Sequence, residues 1–279
     1  MKKIITLVLI TCLILSFSAC SKDTEPAESQ DSSSAADNSQ DEKETESAGN
    51  ETLLIAAAAS LKNCFEDDLI PIFEEKHQSI TVDATYDSSG KLQAQIEEGA
   101  DVDVFMSAAM KQMNALDEKE LMVKESIVKL LENKIVLIVP KDSDKGITAF
   151  EEILKADTVA VGDPESVPAG QYAKEAFENL GLWDEVLAKS SLGTNVTEVL
   201  NWISEGSADA GVVYSTDAAS NENVIVAAEA PEGIVSKVIY PVGVVKASTK
   251  QDTAKLFVEF LKSDEALSVF EKYGFTSLK

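Results

Sequence analysis

Leu53-Leu54-Ile55-Ala56-Ala57-Ala58-Ala59-Ser60-Leu61 is the stretch from which the fold of this chain is read. Leu53 to Ala57 is a short apolar run suited to a buried strand. Small residues lead through Ser60, and Leu61, Cys64, Phe65, Leu69, Ile72 and Phe73 then recur at helical spacing as far as Lys76. Strand, small-residue turn and helix together open a βαβ unit. The pattern continues outward. Ile80 to Tyr86 reads as a strand and Lys91 to Glu98 as a short helix. Val102 to Met106 reads as a strand that opens onto a helix at Lys111 to Asp117. Pro71 lies inside the first helix and is expected to kink it.

Ile135 to Val139 is wholly apolar and marks the expected passage into a second lobe. There Phe150 to Ala156 reads as a short helix, Thr158 to Val161 as a strand, and Tyr172 to Leu180 and Val196 to Glu205 as helices. Ala210 to Tyr214 and Val224 to Ala228 read as strands. Val238 to Val245 reads as a return crossing, and Thr253 to Tyr273 carries the last helices, expected to pack back on the first lobe. The expected class is α/β with two lobes, each a mostly parallel sheet flanked by helices, and a ligand cleft between them. Residues 51–130 form lobe 1, 131–239 lobe 2, and 240–279 the return segment of lobe 1, with hinge crossings near residues 130 and 240.

The N-terminus has the form of a lipoprotein export signal over residues 1–19. Lys2 and Lys3 precede an apolar core from Ile4 to Leu15, and Phe17-Ser18-Ala19 leads to Cys20, the expected lipid-attachment site. The apolar core is shorter than the ~20 residues a membrane-spanning helix needs. Residues 20–50 hold the lipidated cysteine and an acidic tether rich in Ser, Asp, Glu, Ala and Thr, too poor in apolar residues to fold. The expected location is extracytoplasmic, held at the membrane by lipid.

With 24 basic residues against 49 acidic ones the net charge is −25, and loss of Lys2 and Lys3 with the signal makes it more negative still. Nucleic acid is therefore not an expected partner. Every basic residue is lysine, so no bidentate guanidinium clamp can be built. His77 is the single histidine, and once Cys12 leaves and Cys20 is acylated, Cys64 is the lone thiol. A zinc cluster lacks ligands, and neither a phosphate loop nor a nucleophile elbow is present. Abundant carboxylates leave an extracytoplasmic enzyme as one reading, but most alternate with apolar residues as solvated helix faces do.

Four places share one local grammar, in which an extended segment ends in small or polar residues and a helix begins. They are Ala59-Ser60-Leu61, Ser88-Ser89-Gly90, Pro168-Ala169-Gly170 and Thr194-Asn195-Val196. First-turn N–H groups lack helical partners and the macrodipole is positive there, so these ends can bind an anion. Taken singly, Ser60 and Asn195 also fit as helix caps, and Gly90 and Gly170 as turn residues. Jointly, in a chain without arginine, they describe an anion site made of uncharged donors.

Ala56 to Leu61, Tyr86-Asp87-Ser88-Ser89-Gly90, Gly99 to Ala108, Val161 to Gly170, Gly211 to Ala218 and Lys272-Tyr273-Gly274-Phe275 together resemble the molybdate-binding proteins of ATP-driven molybdate importers. The resemblance runs in order from about residue 52 to 276. It implies a type II periplasmic-binding fold that captures molybdate or tungstate as the oxyanion, with no direct protein ligand to the metal and no resident cofactor. It also implies a monomer that passes its ligand to the membrane permease of an ABC importer. By matching motifs, Ser60 and Ser88 or Ser89 would supply hydroxyls, Ala169 and Val196 backbone N–H groups, and Tyr214 its hydroxyl. A receptor for sulfate or another tetrahedral oxyanion is the alternative within the class. Asp87 bears on that choice, because a carboxylate turned into the cleft would accept the proton of hydrogen phosphate.

Overall fold

The computed structural model describes residues 51–279. The signal, Cys20 and the tether lie outside the described residues. β1 (Glu51–Ala58) runs into one helical body made of a 3-10 turn, Ala59–Leu61, α1 (Lys62–Cys64), a π-turn, Phe65–Leu69, and α2 (Ile70–Lys76). The π-turn answers the disruption expected at Pro71. Proline has no N–H to give, and the ladder widens just before it, with the Ile70 N–H donating to the Phe65 carbonyl. The lobe continues with β2 (Ile80–Asp87), α3 (Ser89–Glu97), β3 (Val104–Met106), α4 (Met110–Glu118) and β4 (Val128–Asn133).

The second lobe comprises β5 (Ile135–Pro140), β6 (Val159–Gly162), α5 (Pro168–Asn179), α6 (Trp183–Ala188), β7 (Ser190–Gly193), α7 (Val196–Ser204), β8 (Ala210–Tyr214), α8 (Ser215–Ala219) and β9 (Val224–Glu229). The chain returns through β10 (Val238–Val244), α9 (Gln251–Leu261), α10 (Asp264–Lys272) and β11 (Thr276–Ser277). Strand order is β11-β4-β10-β3-β1-β2 in one sheet and β7-β6-β8-β5-β9 in the other. Lys134 alone separates β4 in the first sheet from β5 in the second, and residues 230–237 carry the chain back.

The sheets are mixed, which corrects the expectation of mostly parallel ones. β1 lies between parallel β2 and β3, and β6 between parallel β7 and β8. β10, however, runs antiparallel to β3 and β4, and β5 antiparallel to β8 and β9. Parallel neighbours need a crossover within one sheet. β5 and β10 instead enter from the opposite lobe, so no such crossover sets their direction. The helix-strand grammar does not record this, because it reports which elements occur and not from which side they enter.

The return helices seal the first lobe. Phe65 and Phe73 are fully buried against Phe257 of α9, with Phe270 of α10 packed on Phe65 and Phe260 on Phe73. Each such ring contributes about 1.5–3 kcal/mol by leaving water. At the surface Asp68 accepts bonds from Lys272 Nζ at 2.8 Å and Tyr273 Oη at 2.7 Å, which hold its carboxyl below the usual range. In the other lobe, Asn179 donates to the Ile234 carbonyl at 2.9 Å and Glu175 accepts from the Ser236 N–H at 2.8 Å, tying the returning segment to α5. Among the described residues, no helix is long and apolar enough to cross a membrane and no acidic, His or Cys cluster could hold a metal ion.

Asp217, in the first turn of α8, is buried, and its Oδ2 accepts the Tyr214 N–H at 3.2 Å. Burial outweighs that bond and raises its carboxyl from 3.8 to about 7. Between those values the native state holds a proton that the unfolded chain has released, so stability falls as pH rises through this window. Asp217→Asn keeps an acceptor and removes the titration. Denaturation at a series of pH values should show wild type losing a few kcal/mol relative to the variant between about pH 4 and pH 7, at ~1.4 kcal/mol per pKa unit. Parallel curves would contradict this.

Candidate anion-binding cleft

The connections that leave β1, β2, β3, β6, β7 and β8 enclose a small cavity between the two lobes. Ala58, Ala59 and Ser60 line it after β1, Asp87, Ser88 and Ser89 after β2, and Ala108 after β3. From the second lobe come Val167, Pro168 and Ala169 between β6 and α5, Val196 at the head of α7, and Tyr214 at the end of β8. The carboxyl edge of parallel strands is where open α/β sheets bind ligands. Ser60, Ser88, Ser89, Ala169, Val196 and Tyr214, each selected from the sequence, thus stand around the same cavity.

Their polar groups differ in what they already bond. Ser88 Oγ and Tyr214 Oη are buried and have no hydrogen-bond partner. Such a group costs about 1–3 kcal/mol unless something pairs with it. Burial pushes the Tyr214 phenol well above the usual tyrosine range, so it stays protonated and able to donate. Ser89 Oγ accepts the Ala108 N–H at 3.0 Å and is thereby committed to the β3–α4 connection, though its own proton remains. Ser60 lies in the 3-10 turn rather than at a cap position, and its Oγ is 2.9 Å from Tyr240 Oη.

Ala169 stands in the first turn of α5 and Val196 is the first residue of α7, so their N–H groups have no partner within the helix. Asn195 is a genuine cap, its Oδ1 accepting the Glu198 N–H at 3.0 Å. It therefore leaves the N–H groups of Val196 and Thr197 to the cleft side of the helix start. Gly170 serves packing instead of ligand approach, since a Cβ there would lie 1.9 Å from the Gly162 carbonyl oxygen of β6. Asp87 lines the cavity, but its carboxylate accepts the Ser88 N–H at 2.7 Å and faces Lys91 Nζ at 3.2 Å. A wider groove bordered by Asp117, Glu118, Glu120, Lys124 and Lys246 is open and acidic, the wrong sign for an anion.

The lobes are closed on each other. The Gly90 N–H, from α3, donates to the Ser166 carbonyl of the opposite lobe at 2.9 Å, and Gln112 Nε2 donates to Gln171 Oε1 at 3.2 Å. Sequence reading missed Tyr240 and Asn133. Tyr240 lies fully buried at the centre of β10, and Asn133 ends β4 at the crossing, with Nδ2 2.9 Å from Thr216 Oγ1 and 3.4 Å from Tyr240 Oη. The available signal was a polar-tipped residue in an otherwise apolar strand, Val238-Ile239-Tyr240-Pro241-Val242.

The family described as bacterial extracellular solute-binding protein matches this chain over residues 53–276. The chain belongs to that family. YvgL of Bacillus subtilis, whose name provisionally gives an ABC transporter substrate-binding lipoprotein, is 43% identical over 86% of this chain and 92% of its own length. The molybdate-binding protein ModA of Escherichia coli is 37% identical over 80% of this chain and 88% of its own. The solved periplasmic molybdate-binding protein of Azotobacter vinelandii, at 22% identity, shares the fold with a TM-score of 0.70 over 80% of this chain and 98% of that one. Relatives of this kind are substrate-binding proteins and not enzymes, so the cleft of this solute-binding protein is a receptor site.

Closure in such a receptor depends on Gly90. A Cβ at that position would lie 2.4 Å from the Ser166 carbonyl oxygen, a backbone atom that cannot swing aside. Gly90→Ala should fold normally, since the clash lies between the lobes and not inside either core, yet close poorly. Since apparent affinity scales with the fraction of competent protein, calorimetry with the solute that the cleft binds should show affinity reduced by roughly tenfold or more. Unchanged affinity would mean that the lobes do not meet at this contact in the bound state.

Proposed function

We propose that this protein captures molybdate or tungstate outside the cytoplasm and delivers it, as a monomer, to the permease of an ABC importer. The observation that carries the reading is the pair of buried, unpartnered hydroxyls, Ser88 Oγ and Tyr214 Oη, in a cavity that also meets the first turns of α5 and α7. In this reading Ser60, Ser88 and Tyr214 donate hydroxyl protons, Ala169 and Val196 donate backbone N–H groups, and Ser89 supports the second turn from Ala108. Each bond to a charged ligand contributes ~1.5–3 kcal/mol, which lets a site without arginine hold a dianion. The naming of ModA as a molybdate-binding protein supports the choice of ligand.

The donor set predicts selectivity. Molybdate, tungstate and sulfate present only acceptors at neutral pH, whereas hydrogen phosphate would bury an O–H, and the Asp87 carboxylate is held toward the Ser88 N–H and Lys91. Sulfate is smaller, so in a cavity shaped for longer metal–oxygen bonds it cannot reach every donor at good length. Calorimetry with the four anions should rank molybdate and tungstate far above sulfate and phosphate, and Ser88→Ala should weaken molybdate roughly ten- to a hundredfold. Sulfate binding as tightly as molybdate would assign the site to a different oxyanion.

Cys20 is proposed as the lipid-attachment residue that tethers the domain to the membrane, a reading supported by the lipoprotein name of YvgL. Cys20→Ala should abolish labelling by a fatty-acid probe and release the protein from the membrane fraction, while residues 51–279 still bind the anion. Undiminished labelling would place the anchor elsewhere.

A further inference from the structure

We propose that Asn133 and Tyr240 form a one-way hydrogen-bond relay that commits the Ser60 hydroxyl to donate into the cleft, which makes Tyr240 a positioning residue for anion binding. The inference rests on the proposed function and adds to it a residue that lines neither the cavity nor either helix start. A serine hydroxyl is ambivalent by itself, since it can donate one proton and accept two. In a site that must present only donors, something has to remove that ambivalence.

The direction of the relay follows from groups whose roles admit no choice. The Lys134 N–H can only donate, and it lies 2.8 Å from Asn133 Oδ1, which fixes the oxygen end of that amide. Ser215 Oγ donates to the same oxygen at 2.9 Å. Nδ2 therefore faces Thr216 Oγ1 at 2.9 Å and Tyr240 Oη at 3.4 Å, and an amide nitrogen can only donate. Tyr240 thus accepts from Asn133, and we assign its own proton to Ser60 Oγ, 2.9 Å away. Tyr240 is fully buried, so bulk water offers no alternative acceptor. Burial also drives its phenol well above the usual range, so the proton is retained. With one lone pair filled from Tyr240, Ser60 directs its proton to the cavity that it lines with Ser88 and Tyr214.

The ring of Tyr240 has separate support. It packs edge-on against Tyr214 at 5.6 Å and Phe275 at 5.2 Å between centroids. Tyr240→Phe therefore removes the relay and keeps the packing.

The test is a double-mutant cycle read by calorimetry with molybdate on wild type, Tyr240→Phe, Ser60→Ala and the double variant, with ligand-free melting temperatures confirming the fold. Failure of wild type to bind molybdate would sink the functional reading on which the relay rests. Given wild-type binding, Tyr240→Phe should weaken molybdate about tenfold when Ser60 is present and less than twofold in the Ser60→Ala background. A tyrosine with only a structural role would weaken both backgrounds by the same factor, and that result would overturn the relay. Asn133→Ala provides a second entry to the cycle should Tyr240→Phe fail to fold. It should likewise weaken molybdate only when Ser60 is present, and equal losses in both backgrounds would count against the proposal.

Discussion

Unpartnered hydroxyls in a closed cavity are expensive, and the architecture of this protein is organised around keeping them. Ser88 Oγ and Tyr214 Oη each carry a desolvation penalty of ~1–3 kcal/mol when nothing bonds them. The core would be more stable with apolar residues in their place. The penalty is met by the large aromatic and aliphatic interior on either side, including Phe65, Phe73, Phe257 and Phe270 in one lobe and Phe150 and Phe177 in the other. An anion that pairs with both hydroxyls removes the penalty as it binds. Relief of that penalty is open only to a ligand rich in acceptors.

That arrangement needs two rigid bodies that meet along an edge. In each sheet one strand, second from an edge, has parallel neighbours on both sides and directs its carboxyl end to the cleft, so small-residue turns and helix starts from both lobes arrive at one place. The strands that break the parallel pattern, β5 and β10, are those that carry the chain between lobes. Their antiparallel pairing follows from the direction of entry. Because Lys134 alone separates β4 from β5, the crossing residues lie beside the site, and Asn133 and Tyr240 join the polar network around Ser60.

How much of this was legible in the sequence depended on how local the information was. The apolar run Leu53 to Ala57 and the helical spacing from Leu61 to Phe73 are local and identified their elements, as did Ala210 to Tyr214. Strand β7, Ser190–Gly193, was invisible because its residues are polar or small and it lies at the sheet edge, where Leu192 is exposed. β4 was equally obscured by its charged residues, Lys129 and Glu132. The six cleft residues could be named because strand-turn-helix junctions leave a compositional trace and because the segments around them resemble a known family. What Ser60 bonds could not be named, since its partner lies 180 positions away on the returning strand. Ser88 and Ser89 were inseparable for the same reason. Only the distant Ala108 N–H distinguishes them, by engaging Ser89 and leaving Ser88 free.

Two buried tyrosines show why residue type alone does not assign a role at such a site. Tyr214 and Tyr240 are both inaccessible, both raised in pKa by burial, and in edge-on contact with each other. Their neighbours make them chemically different. Tyr214 ends β8 with its hydroxyl unpartnered at the cavity, so its proton is available to a ligand. Tyr240 lies between an amide that can only donate and a serine that can accept, so in the proposed relay its proton is spent inside the protein. The difference originates in a backbone N–H, that of Lys134, which orients Asn133 and through it the whole chain of donors. The crossing between the lobes is thus also where the polarity proposed for the Ser60 hydroxyl originates.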